Sequence, residues 1–229
     1  LWIGTNNGLS RYDDVNFKNF TVRDGLVSNS VNDLLFDSDG LLWIGTGGAG
    51  VSVYDGNCWS SFDNRDGLVS DRVHCIHQDN LGYLWFGTAK GLTRYLKRIK
   101  KPPIRITSVQ TDQDYTDLQN IPPLNFGERV TFKFDTNDFR TLPAKRQYRY
   151  RIRELNSDWS KPVRITTFDH RFESKGKYTF EVQYIDRDLN YSEPASVELT
   201  INPPLFYQTM GFLIGVGVIF GVGIVSGTV

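Results

Sequence analysis

His74-Cys75-Ile76-His77 sets two imidazoles around a thiol, donor types that a metal ion takes. The segment reads as a strand, and strand residues three apart point to opposite faces. The spacing therefore denies the two histidines a common ion. Asp186-Arg187-Asp188-Leu189-Asn190 begins like a calcium loop, but Tyr191 stands where the loop needs glycine. Val197 replaces the glutamate that would close the shell, so the segment reads as a turn after a strand. Residues 146–153 interleave arginines with Tyr148 and Tyr150, as nucleic-acid binders do. On a strand the two types fall on opposite faces, so no base could stack beside the arginines. His170 has no identifiable Ser, Cys or Glu partner, and no nucleophile elbow, P-loop or dinucleotide fingerprint occurs. The expectation is no catalytic, cofactor-binding or metal-binding residue within this chain.

The elements that carry these residues repeat. Leu1-Trp2-Ile3-Gly4-Thr5, Leu42-Trp43-Ile44-Gly45-Thr46 and Leu84-Trp85-Phe86-Gly87-Thr88 are copies of one phrase, with tryptophans 41 and 42 residues apart. Asp24-Gly25-Leu26-Val27-Ser28-Asn29 and Asp66-Gly67-Leu68-Val69-Ser70-Asp71 keep step with them. Such a period, with short strands and Asp-Gly turns, marks a β-propeller blade. One repeat reads as strands at 31–37, 42–46, 50–54 and 58–62, with a turn at Asp37-Ser38-Asp39-Gly40. Trp2, Trp43 and Trp85 are expected in the core between blades, and Trp59 nearer the rim. The repeats fill residues 1–96 and amount to fewer than three blades, where a closed ring needs roughly four to eight. If Val31 and Val73 begin innermost strands, Cys58 and Cys75 lie about three strand spacings apart, beyond a disulfide's reach. Two free, mostly buried thiols are expected.

The pattern breaks at residues 97–103, Lys-Arg-Ile-Lys-Lys-Pro-Pro, a linker composition. Strand signals resume at 104–111, 129–135, 148–153, 163–168, 178–186 and 197–201, with a weak one at 115–119. About seven strands in 104–202 suggest an immunoglobulin-like β-sandwich. Tyr148, Tyr150 and Ile152 share one face of their strand, and Arg149, Arg151 and Arg153 the other. The core is expected to hold Tyr148, Tyr150, Trp159 and Tyr178, with the charges in solvent.

Residues 203–210 read as a juxtamembrane segment and 211–229 as a transmembrane helix. The latter stretch carries no charge, and nineteen residues at 1.5 Å rise span about 28 Å. Phe206 and Tyr207 sit where an interfacial aromatic belt belongs, and no Lys or Arg follows Arg187. The charge rule then places residues 1–210 outside. Gly211/Gly215, Gly217/Gly221 and Gly223/Gly227 are small-xxx-small pairs that allow two such helices to approach closely. The fold class is thus all-β, a partial propeller plus a sandwich, followed by one membrane helix. Lys and Arg total 26, as do Asp and Glu, so net charge gives no reason to expect nucleic acid. With no initial Met and no signal peptide, both ends look like limits of a longer protein.

The phrases Leu-Trp-[Ile/Phe]-Gly-Thr and Asp-Gly-Leu-x-Ser-[Asn/Asp] resemble two-component regulator propeller repeats. Gly8-Leu9-Ser10-Arg11-Tyr12 and Gly91-Leu92-Thr93-Arg94-Tyr95 fit best, while Gly50-Val51-Ser52-Val53-Tyr54 departs. Tyr148 and Tyr150, Asp158-Trp159, Gly176-Lys177-Tyr178 and Pro203-Pro204-Leu205-Phe206 resemble the three-tyrosine domain that follows such propellers outside the membrane. The resemblance implies the periplasmic sensing and relay part of a bacterial inner-membrane receptor, whose output domain, often a histidine kinase, lies elsewhere. It implies no cofactor, a small-molecule or glycan ligand of unknown identity, and a homodimer in the membrane. Two other readings stand beside it: a tethered extracellular binding or adhesion protein, and a propeller lyase or hydrolase.

Overall fold

The repeat phrase folds because its aspartate and tryptophan satisfy one another. In a computed structural model describing residues 1–156 and 158–203, Asp37 Oδ1 accepts the amides of Asp39 and Leu41, each at 2.9 Å. Its Oδ2 accepts the Trp43 indole N–H at 2.8 Å. Asp79 repeats this with the amides of Leu81 and Tyr83 and with Trp85 Nε1 at 2.7 Å. One carboxylate thus closes the turn and meets the polar atom of a large apolar ring.

Strands β1 (Trp2–Thr5), β2 (Gly8–Tyr12) and β3 (Phe17–Phe20) form a three-stranded sheet. Strands β4 (Val31–Phe36), β5 (Leu42–Thr46), β6 (Val51–Tyr54) and β7 (Trp59–Phe62) form a complete four-stranded blade. β8 (Val73–Gln78), β9 (Leu84–Thr88) and β10 (Gly91–Tyr95) form a third sheet. All pairings within these sheets are antiparallel. The second phrase ties sheet to sheet: Gly8 N donates to Asn29 O and Gly50 N to Asp71 O, both at 2.8 Å. Gly50 has φ +82°, and a Cβ there would lie 2.0 Å from the Phe62 carbonyl oxygen, so glycine is required.

Every residue of β5 is buried, because sheets cover both its faces. Trp43 is 0% exposed, while Trp2 and Trp85 are half-buried. Leu9, Phe20, Leu26, Val31, Leu42, Ile44 and Tyr54 fill the space between the first two sheets.

The second domain stacks two sheets. One orders β12 (Asp114–Tyr115), β11 (Arg105–Gln110), β13 (Arg129–Asp135) and β15 (Thr167–Arg171). The other orders β14 (Gln147–Ile152), β16 (Gly176–Ile185) and β17 (Ala195–Ile201). Phe132, Phe134, Tyr148, Phe180, Val182, Tyr184 and Val197 are central to the core between them. β16 runs ten residues, about 30 Å at strand rise, with Ile185 at one end and Gly176 paired to Ile201 at the other.

Several expectations change. The strand expected at 163–168 is two pieces: Val163 bridges to Tyr148, and the chain then crosses to the other sheet as β15 beside β13. Period-two alternation continues through such a crossover, which hides it. The weak strand at 115–119 shrinks to Asp114–Tyr115. Cys58 is buried and free, but Cys75 is exposed. A register shift between Val73 and Cys75 leaves His74, Cys75 and His77 all exposed, so alternation does not hold there. Among the described residues no helix is long and apolar enough to cross a membrane. The expected juxtamembrane segment, apart from residue 203, and the expected helix at 211–229, with Gly211, Gly215, Gly217, Gly221, Gly223 and Gly227, lie outside the described residues.

Candidate functional site: the joint between blades and sandwich

The turn after β16 is where the two domains meet. Asp186 shapes it: Oδ1 accepts the amides of Asp188 and Asn190, each at 2.9 Å. Burial pushes the Asp186 carboxyl above its ordinary value. Leu189 has φ 59°, an unusual conformation for a branched side chain, and is only 6% exposed. It projects with Ile185 into one apolar cluster with Trp43, Val53, Phe62 and Phe86, between the second and third blade sheets. The turn is a plug, not a free surface loop.

Polar contacts ring the plug. The Tyr95 hydroxyl, at the end of β10, donates to Asp188. The Tyr191 hydroxyl donates to Asp55 Oδ2 at 2.5 Å, and the hydroxyl oxygen lies 3.1 Å from Cys58 Sγ. Burial first, then the neighbouring carboxylates, pushes both phenols far up, so both remain protonated donors. Burial likewise pushes the Cys58 thiol up, which makes it a poor nucleophile. Ser60 Oγ donates to Arg187 O at 2.5 Å, and Gln147 Nε2 to Trp59 O at 2.8 Å.

A second group of contacts is ionic. Asp63 caps the short 3-10 turn Asn64–Asp66. Lys145 pairs with Asp66 and, at 2.8 Å, with Asp63 Oδ2. Arg187 Nη1 is 3.4 Å from Asp66 Oδ1, and its guanidinium lies over the Phe62 ring at 5.3 Å. The Arg65 guanidinium first, and Lys145 with it, hold the Asp63 carboxyl well below the usual range. Residues 97–103 also take part: Lys97 pairs with Asp37 and Asp39, and Arg98 O accepts from Asn190 Nδ2 at 2.7 Å.

The expected sandwich residues are placed as follows. Tyr148 is 1% and Tyr178 7% exposed in the core, and Tyr150 is half-buried against it, its ring 4.1 Å from that of Phe168. Trp159, expected in the core, stands outside that cluster, half-buried under the Arg149 and Arg151 guanidiniums at 4.9 and 4.5 Å. The strand face expected in solvent holds a buried carboxylate: Glu181 is 2% exposed and pairs with Arg151 at 2.7 Å and with Arg153. The joint residues Tyr95, Lys145, Arg187, Leu189 and Tyr191 were not anticipated. One signal was present, an apolar leucine at the tip of an otherwise polar turn. Among the described residues no group of three or more His, Cys, Asp or Glu could hold a metal ion.

A family profile described as a two component regulator propeller matches residues 25–48 and 67–90, and the Y_Y_Y domain matches 141–202. The chain carries regulator propeller repeats followed by a Y_Y_Y domain. The joint therefore lies where these two modules touch. No curated protein matches the chain. Among solved structures it is similar to the extracellular domain described as that of a hybrid two-component system from B. thetaiotaomicron. That match has 21% identity and a TM-score of 0.51, and covers 88% of this chain and 30% of that one. A second domain, described as extracellular in a one-component system of the same organism, matches at 17% identity and TM-score 0.40 over 89% of this chain and 30% of that one. The chain thus spans under a third of either domain. At these identities the first likeness supports the fold alone.

Proposed function

We propose that this chain is the extracytoplasmic sensing and relay part of a bacterial membrane receptor of the two-component type. The propeller receives the signal, and the Y_Y_Y sandwich passes it toward the membrane and an output domain elsewhere in the protein. The joint carries this reading. A shift between the second and third blade sheets has to move Leu189 and Ile185, because all belong to one close-packed cluster. Ile185 ends β16, whose far end pairs with Ile201, where the chain leaves the sandwich. In this reading residues 211–229 span the inner membrane, and two copies associate through their glycine pairs. The blades bind and transmit and do no chemistry.

Alkaline phosphatase fusions test the orientation. Behind an added cleavable export signal, the reporter fused after residue 203 is expected to be active, and fused after residue 229 inactive. Activity at both positions would remove the reading. Cysteine scanning across 211–229 tests the pairing, and no crosslink at any position counts against a dimer.

A further inference from the structure

A cleft of about 560 Å³ opens beside the joint, where the first two blade sheets meet the sandwich. This volume falls within the range of small-ligand sites. Lys18 on β3 and Arg23 in the turn after it reach it from the propeller, and Lys161 and Arg164 reach it from the crossover before β15. All four are exposed, and none has an ion-pair partner among the described residues. In a chain with 26 cationic and 26 anionic side chains, four cations against one carboxylate are a local excess of positive charge. That carboxylate, Asp24, has its Oδ2 held by the amide and hydroxyl of Thr21, at 2.8 and 3.0 Å, and offsets Lys18 and Arg23 only in part.

The floor is aromatic. Phe20, Tyr54 and Trp59 line it, with Trp59 stacked on Tyr54 at 4.3 Å. Gly25 lies so close that a Cβ there would stand 2.6 Å from the Trp59 ring, which fixes the indole in place. Cys58 also lines the cleft, and its sulfur touches Tyr191 of the joint. Two positive charges from each domain therefore face one gap above a rigid apolar floor.

We propose that this cleft binds a ring-bearing dianion of mono- to disaccharide size, its anionic groups bridging the propeller pair Lys18 and Arg23 to the sandwich pair Lys161 and Arg164. The ring lies against Trp59, the half-buried aromatic of the floor, since Phe20 is covered by Trp2 and by the Lys18 ammonium. Without ligand the four cations repel one another across the gap, and a bound dianion reverses that sign. Ligand then favours the arrangement with the domains drawn together, which gives the relay its input. That consequence rests on the sensor reading, whereas binding itself does not.

The test is calorimetry on the full chain in a non-ionic polyoxyethylene detergent. The probes are glucose 1,6-bisphosphate, digalacturonate and a disulfated disaccharide, so that phosphate, carboxylate and sulfate sources are separated. Glucose and inorganic phosphate are the controls. At least one dianionic ring is expected to bind with a Kd below about 1 mM. Its affinity should fall about tenfold when salt rises from about 50 to 300 mM. The pairs K18Q/R23Q and K161Q/R164Q, all at exposed positions, should each weaken it about tenfold or more. The proposal is overturned if no dianionic ring binds, if glucose or inorganic phosphate binds as tightly, or if removing either pair leaves affinity unchanged. None of these results bears on the fusion and crosslinking patterns that test the receptor reading.

Discussion

Asp37 shows how much one side chain of the repeat supports. Its two oxygens hold two turn amides and the indole of a completely buried tryptophan. Asp37→Ala strands all three donors, a loss of about 2–4 kcal/mol. Asp79→Ala removes the same set from Trp85, which is half-buried, so water replaces part of what is lost. The expected order in urea titrations is a clearly larger loss at Asp37, and equal losses would contradict the burial argument. The core position of Trp43 was legible in the sequence because the phrase recurs at one period, whereas Trp2 and Trp85, expected in the same core, are half-buried. Trp159 occurs once, and nothing local separates an aromatic packed inward from one covered by Arg149 and Arg151.

Among the elements, the turn at 186–191 combines an unusual backbone with deep packing. Leu189→Ala should cost about 2–4 kcal/mol, because it empties the space the isobutyl group fills between the blade sheets. Leu189→Gly should be no worse than Leu189→Ala, since at φ 59° glycine relieves the left-handed strain that alanine keeps. A glycine variant far less stable than the alanine variant in thermal melts would mean the backbone is not strained there. The ionic side of the joint gives a pH dependence. The folded-state value of Asp63 is depressed below the ordinary 3.8, so its contribution is complete above about pH 4 and is lost as pH falls further. Asp186 is raised by burial, so acid acts on it in the opposite direction, favouring the folded state. Asp63→Asn should therefore flatten the loss of stability between about pH 4 and 2, read by fluorescence melts. An unchanged acid limb would show that the Arg65 and Lys145 contacts do not hold in solution. None of this was legible beforehand. The contacts join residues 55–66 to residues 145–191, and no local pattern records a pairing across 79 to 136 positions.

For the whole molecule, sharing a core across the module boundary sets what each part can do alone. The sandwich has its own cluster around Phe132, Phe180 and Tyr184, so residues 104–203 contain a core of their own. The turn is different: Ile185 and Leu189 belong to the blade cluster, and Tyr191 packs against it. Cut from the blades, these side chains face water, and the left-handed Leu189 loses the packing that offsets its strain. Hydrogen exchange should separate the two regions. In an isolated 104–203 segment the amides of β13 and of the middle of β16 should stay protected. Those of Asp186, Asp188 and Asn190 should exchange at least about tenfold faster than in the full chain. If the turn remains equally protected without the blades, the sandwich holds it unaided. A movement of the propeller would then have no element through which to reach β16, and the relay would need another path.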